Sequence, residues 1–124
     1  MAEAFLNDFA EGMVYVESAG LDPKPVNPLV IEVMQEIGYD LSQAKSDSVF
    51  EFFKEGRLYD YVITVCDETA AGQCPVFPGI TQRFHWPFAD PELLTGTHDE
   101  KLKALRNIRD QIKVKVFEWV KTIA

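Results

Sequence analysis

At 124 residues, 47% hydrophobic and 26% charged, the chain has the length and balance of one soluble globular domain and is too short for two ordinary cores. Twelve Lys and Arg against twenty Asp and Glu leave a formal net charge of -8; with no basic cluster interleaved with aromatics, nucleic acid is excluded as an expected partner. No apolar run approaches bilayer-spanning length, and the acidic opening Met1-Ala2-Glu3-Ala4-Phe5-Leu6-Asn7-Asp8 lacks the basic region of a secretory signal, so a cytoplasmic location with no membrane partner is expected.

Residues 1–10 place Met1, Phe5, Leu6 and Phe9 on one stripe at helical spacing, already in phase at the first residue and closed by Gly12. Residues 13–19, Met-Val-Tyr-Val-Glu-Ser-Ala, read as a short strand ended by Gly20, and Asp22-Pro23-Lys24-Pro25 as a loop. Asn27-Pro28 is an N-cap followed by proline at the first helical position; Leu29, Val30, Val33, Met34 and Ile37 make the apolar face up to Gly38. A shorter helix is expected from Ser48 to Lys54, with Gly56 behind it. Tyr61-Val62-Ile63-Thr64-Val65-Cys66 is almost wholly apolar and β-branched, which suits a parallel strand covered on both faces.

A loop is expected over residues 67–78 and one more short strand over residues 80–86. Thr97-His98-Asp99-Glu100 is a capping box. It opens a helix that runs to the end, its stripe formed by Leu102, Leu105, Ile108, Ile112, Val116, Val120 and Ile123 and widened by Phe117 and Trp119. The alternation is that of an α/β protein begun half a unit late.

Cys66 and Cys74 are the only cysteines, separated by the seven loop residues Asp67 to Gln73. They can be two thiols within disulfide range or a buried strand-end residue and an incidental loop residue, and spacing alone favours the second reading. Only His85 and His98 are available as imidazole ligands, without ligand spacing to the cysteines, so no metal is expected. Asp90 precedes Pro91 and can cap the turn that follows or serve as a general acid beside a bound anion. His85-Trp86-Pro87-Phe88 reads as packing, a histidine among large aromatics.

Taken together and in order, these segments resemble the arsenate reductases built on the low-molecular-weight protein tyrosine phosphatase fold. Met1 to Leu6 resembles the start of the helix that follows that family's phosphate loop, Cys-x5-Arg and a serine. Glu17-Ser18-Ala19-Gly20 resembles the end of its second strand. Val62-Ile63-Thr64-Val65-Cys66-Asp67, followed by Cys74-Pro75-Val76-Phe77-Pro78-Gly79, resembles its redox segment. His85-Trp86-Pro87-Phe88-Ala89-Asp90-Pro91 resembles the segment that carries its general acid.

The resemblance implies a three-layer α/β sandwich around a parallel sheet of order resembling 2-1-3-4. Residues 1–124 would form a single domain, incomplete at its N-terminus, with the first strand and the phosphate loop expected upstream of Met1. Loss of that central strand would strip ladder partners from two neighbours and leave Phe5 and Phe9 partly uncovered. The expected outcomes are marginal folding, strand exchange between chains, or an upstream segment outside this sequence.

The implied activity is reduction of arsenate to arsenite by a thiol cascade, with no cofactor. Cys66 and Cys74 match the second and third thiols and Asp90 the acid. Arsenate or phosphate is the implied oxyanion, and thioredoxin or glutaredoxin the reductant. Two alternatives stand beside it: a phosphatase of the same fold, and a non-catalytic binding or regulatory protein without an anion loop. Asp90-Pro91-Glu92-Leu93-Leu94 lacks the tyrosines that family phosphatases commonly carry there, and the cysteine pair is one that a phosphatase does not need.

Overall fold

A computed structural model describes residues 1–20, 25–44, 47–65, 79 and 81–123. The chain divides into two compact units, one of Met1–Glu17, Val26–Lys45 and Pro91–Ala124, the other of Ser18–Pro25 and Ser46–Asp90.

In the first unit, helix α1 (Ala2–Phe9) buries Phe5 and Leu6. Phe5 is fully buried, its ring stacked on Phe9 at 6.0 Å between centroids and met edge-on by Tyr39 at 5.2 Å. The sequence led us to expect a partly uncovered Phe5; the aromatic cluster covers it. Helix α2 (Pro28–Gln35) starts as its sequence dictates: the Asn27 side-chain oxygen accepts the Leu29 N–H at 2.9 Å, with Pro28 at the first position. Its end is a glycine stop. Gly38, at φ +91°, lets the Tyr39 N–H reach back to the Met34 carbonyl at 3.0 Å. That turn delivers Tyr39 onto Phe5.

The long helix α4 (His98–Ile123) is opened by Thr97, whose hydroxyl accepts the Glu100 N–H at 3.2 Å. Leu102, Leu105, Ile108, Ile112, Val116, Trp119 and Val120 are buried along it. Phe117 does not join them: half of it is exposed, with the Lys121 ammonium 4.4 Å above its ring and Phe9 edge-on at 5.7 Å. Arg109 is a buried charge on this helix. It is tolerated because its guanidinium finds acceptors: Nη1 donates to the Val33 carbonyl at 2.9 Å and to Glu36 at 3.0 Å, and Nε to Asp110 at 2.8 Å. Arg106 adds a 2.7 Å bond to Glu36. The two guanidiniums, Arg106 foremost, hold the Glu36 carboxyl below its usual range.

In the second unit, Gly20 and Ser48 form an isolated parallel bridge, with Gly20 N–H to Asp47 O at 2.8 Å and Val49 N–H to Gly20 O at 3.0 Å. Residues 13–19, expected as a strand, form none. Strand propensity there finds no ladder partner among the described residues, and Tyr15 is 89% exposed. Helix α3 (Val49–Lys54) turns Val49 and Phe52 inward against Tyr59 and Val62. Strands β1 (Tyr61–Thr64) and β2 (Gln82–His85) pair in parallel, in the register Tyr61↔Gln82 to Thr64↔His85. The expected α/β class with a parallel sheet is therefore found.

Tyr39 provides a test of the first unit. Its hydroxyl donates to Asp8 at 2.5 Å, and burial first, then that bond and the Asp8 charge, push the phenol up to about 12 from an ordinary 10.0. The folded state thus favours the neutral phenol. The stabilisation is complete below the unfolded value and is lost as pH rises through the folded one. Tyr39→Phe keeps the ring on Phe5 and deletes the hydroxyl, at an expected cost of about 0.5–1.5 kcal/mol at neutral pH. Melts in pH steps check it: between those two values the original chain should lose stability faster than Tyr39→Phe, and parallel curves would refute the pairing.

Candidate functional site

The site is the carboxyl end of the β1–β2 pair. In a parallel ladder both strands finish at one edge of the sheet, where helix and loop connections gather the chemistry of α/β proteins. The amino end is closed by the Gln82 N–H on the Asp60 carbonyl at 2.9 Å and the Thr81 hydroxyl on the Tyr59 carbonyl at 2.7 Å. Tyr59-Asp60-Tyr61 is accordingly the polar entry of a strand.

At the carboxyl end the Trp86 N–H continues the ladder onto the Thr64 carbonyl at 2.7 Å. Pleating puts Val62 and Thr64 with Arg83 and His85 on one face, Tyr61 and Ile63 with Gln82 and Phe84 on the other. On the first face, Val62 packs on α3. On the second, the Tyr61 and Phe84 rings lie 6.4 Å apart.

The last rung carries a side-chain pair. Thr64 Oγ1 lies 2.6 Å from His85 Nδ1 and 3.5 Å from the Phe84 carbonyl oxygen, to which it donates. A hydroxyl has one proton, so when that proton serves the carbonyl the imidazole Nδ1–H is the donor to Thr64. In the other tautomer Nδ1 accepts the Thr64 hydroxyl proton instead. His85 is exposed and Trp86 is buried. Only the tryptophan is the packing residue expected for this segment; the sequence reading missed both the histidine's outward placement and Thr64. The signal available was a threonine at the end of an otherwise apolar run, opposite a histidine once the register is known.

Asp90 is exposed, five residues past the end of β2 and just before a single 3-10 turn at Pro91–Leu93. Cys66 and Cys74 lie outside the described residues. His98 sits in the first unit, its Nε2 3.5 Å from Glu32. Among the described residues no group of three or more His, Cys, Asp or Glu side chains could hold a metal ion, and no helix is long and apolar enough to cross a membrane.

Replacing Thr64 with Val preserves shape and removes the hydroxyl, leaving His85 to solvent. The expected loss is about 0.5–1.5 kcal/mol in a thermal melt, with Thr64→Ser restoring most of it. Equal melts for the Val and Ser variants would show that the pair contributes nothing.

Comparison with known proteins adds identity to this geometry. Residues 1–124 match the family described as low molecular weight phosphotyrosine protein phosphatase. An arsenate reductase of Halalkalibacterium halodurans is 34% identical over 122 residues, 98% of this chain and 86% of that protein. The structure of an arsenate reductase in its oxidized state superimposes with a TM-score of 0.79 at 28% identity, covering 99% of this chain and 87% of that one. One of an arsenate reductase in a phosphate-binding state gives a TM-score of 0.74 at 28% identity, with the same coverage.

Proposed function

The chain belongs to the low molecular weight phosphotyrosine protein phosphatase family, and on that premise we propose that it supplies the disulfide relay and the general acid of an arsenate reductase. What supports this reading is the parallel pair itself. Its two carboxyl ends share one sheet edge, and from that edge the sequence reaches Cys66 two residues past Thr64 and Asp90 five residues past His85. The relatives and structural neighbours above are arsenate reductases, and one neighbour is described in a phosphate-binding state. An oxyanion of that shape is the proposed ligand.

The proposed chemistry balances as follows. A thiolate in a Cys-x5-Arg loop attacks arsenate, and Asp90 protonates the oxygen that leaves as water. Cys66 then attacks that first sulfur. The sulfur–arsenic electron pair stays on arsenic, which departs as arsenite, and a disulfide joins the first cysteine to Cys66. Attack by Cys74 on Cys66 frees the first thiolate and leaves a Cys66–Cys74 disulfide, which a dithiol carrier of the thioredoxin or glutaredoxin class reduces. The role fits arsenic resistance in the cytoplasm, where such carriers maintain thiols.

Residues 1–124 contain no Cys-x5-Arg, so their proposed share is the acid and the relay. A phosphatase reading gives the cysteine pair nothing to do. The relay predicts that mild oxidation removes two hydrogens within one chain and that a dithiol restores them, read by intact mass. Free alkylation of both thiols after oxidation would dismiss it.

Turnover divides in the same way. The 124-residue chain alone should neither reduce arsenate nor hydrolyse an aryl phosphate. With a strand and Cys-x5-Arg loop fused ahead of Met1, it should reduce arsenate, and there Asp90→Asn should slow the chemical step by about 10²–10⁴-fold while oxyanion binding persists. Unchanged single-turnover rates would reduce Asp90 to a cap of the turn at Pro91, where asparagine serves as well.

A further inference from the structure

We propose that the outer face of α4 is an interface for a second copy of this chain, with the two α4 helices antiparallel. Asp110, Val114, Phe117 and Lys121 follow one another along α4 at steps of four, three and four residues, and all four are exposed. Steps of that kind keep side chains on one stripe of a helix, here over about 17 Å of its axis. The stripe lies opposite the one that buries Leu105, Ile112 and Val116. At its middle Val114 is 57% exposed and Phe117 49%.

The order of the charges names the occupant. Acid, apolar, apolar, base at a spacing that reads the same in both directions is its own complement when reversed. Across a two-fold axis between residues 115 and 116, Asp110 faces the second copy's Lys121, Val114 faces its Phe117, and each contact occurs twice, as an isologous interface requires. A parallel pair would set Asp110 on Asp110 and Lys121 on Lys121, like charge on like. Asp110 already accepts the Arg109 Nε–H at 2.8 Å through one oxygen, and a carboxylate has a second to offer. The Lys121 ammonium stands 4.4 Å above the Phe117 ring, so the base and the apolar pair belong to one patch.

The association is weak for reasons equally visible. Lys113 and Glu118 lie on opposite flanks of the seam, where in the antiparallel pair each comes nearest its own counterpart, and each copy carries a net charge of -8. One helix stripe per copy buries less than about 1,200 Å² in all, the range of transient pairs. That places the dissociation constant between about 1 µM and about 1 mM.

The test is sedimentation velocity of the full 124-residue chain over a concentration series spanning that range, with a dithiol present so that no disulfide-linked dimer is counted. Salt at about 0.15 M screens charges farther apart than about 8 Å. The weight-average sedimentation coefficient should rise with concentration. Lys121→Glu sets a carboxylate against Asp110 at both ends of the seam, and Asp110→Lys sets an ammonium against Lys121; each should raise the dissociation constant about tenfold or more. Mixed in equal amounts, the two variants regain opposite charges at both pairs and should associate as the original chain does, with circular dichroism reporting the fold. Should Asp110→Lys fail to fold for want of the Arg109 contact, Lys121→Glu and Val114→Lys decide, both weakening association.

A monomer at every concentration overturns the interface. So does a dimer that none of the substitutions moves, as exchange of strands between chains would give. A mixture that associates no more tightly than its separate components overturns the antiparallel register and the proposal with it.

Discussion

Parallel pairing of Tyr61–Thr64 with Gln82–His85 is the constraint on which the candidate site depends. An antiparallel hairpin would put the end of one strand beside the start of the other; a parallel pair needs a return crossover and leaves both carboxyl ends together. The register then decides which side chains share the last rung. Shifting it by one residue would move Thr64 away from His85 and onto Phe84, with the faces reversed. Two threonine hydroxyls secure the pair at its ends: Thr81 on the Tyr59 carbonyl at one, Thr64 against His85 at the other. A short ladder with few backbone bonds gains from such clamps, because each satisfies a group that would otherwise compete for water.

The two strands do unequal work. All four residues of β1 are half-buried, and Val62 is tied to α3 through Phe52. In β2 only Phe84 is half-buried, while Gln82, Arg83 and His85 are exposed. Polar, charged side chains of that kind discourage edge-to-edge pairing with another chain. They also leave polar chemistry available at the surface. Blunting an edge and presenting an imidazole are thus compatible uses of the same strand.

Elements whose instructions are local were legible in the sequence. Asn27-Pro28 started a helix, Gly38 stopped it, and Thr97 with Glu100 opened the long helix, because caps and positive-φ glycines act through neighbours one to five residues away. Residues 13–19 misled, since alternating β-branched residues state a preference and a strand needs a partner as well. Phe117 misled for a similar reason: helical period placed it beside the stripe, but Lys121 and Phe9 cover only part of it. The sequence did not single out Arg109, whose burial rests on acceptors more than seventy residues earlier, the Val33 carbonyl of α2 and Glu36 at its end. For the site, Asp90 and the cysteines were visible as residue types, whereas the Thr64–His85 contact exists only once the register is known.

Charge sharpens the chemical problem that such a site must solve. The unit formed by Ser18–Pro25 and Ser46–Asp90 carries four Lys and Arg against eight Asp and Glu. A negative surround raises the cost of a thiolate and repels an oxyanion, both in the same direction. Seven of the chain's twelve Lys and Arg lie on α4, in the other unit, and two of these, Arg106 and Arg109, are committed to Glu36. A thiolate or oxyanion held in the acidic unit has to be stabilised locally, over a few ångströms, by backbone N–H groups or adjacent side chains rather than by the net charge.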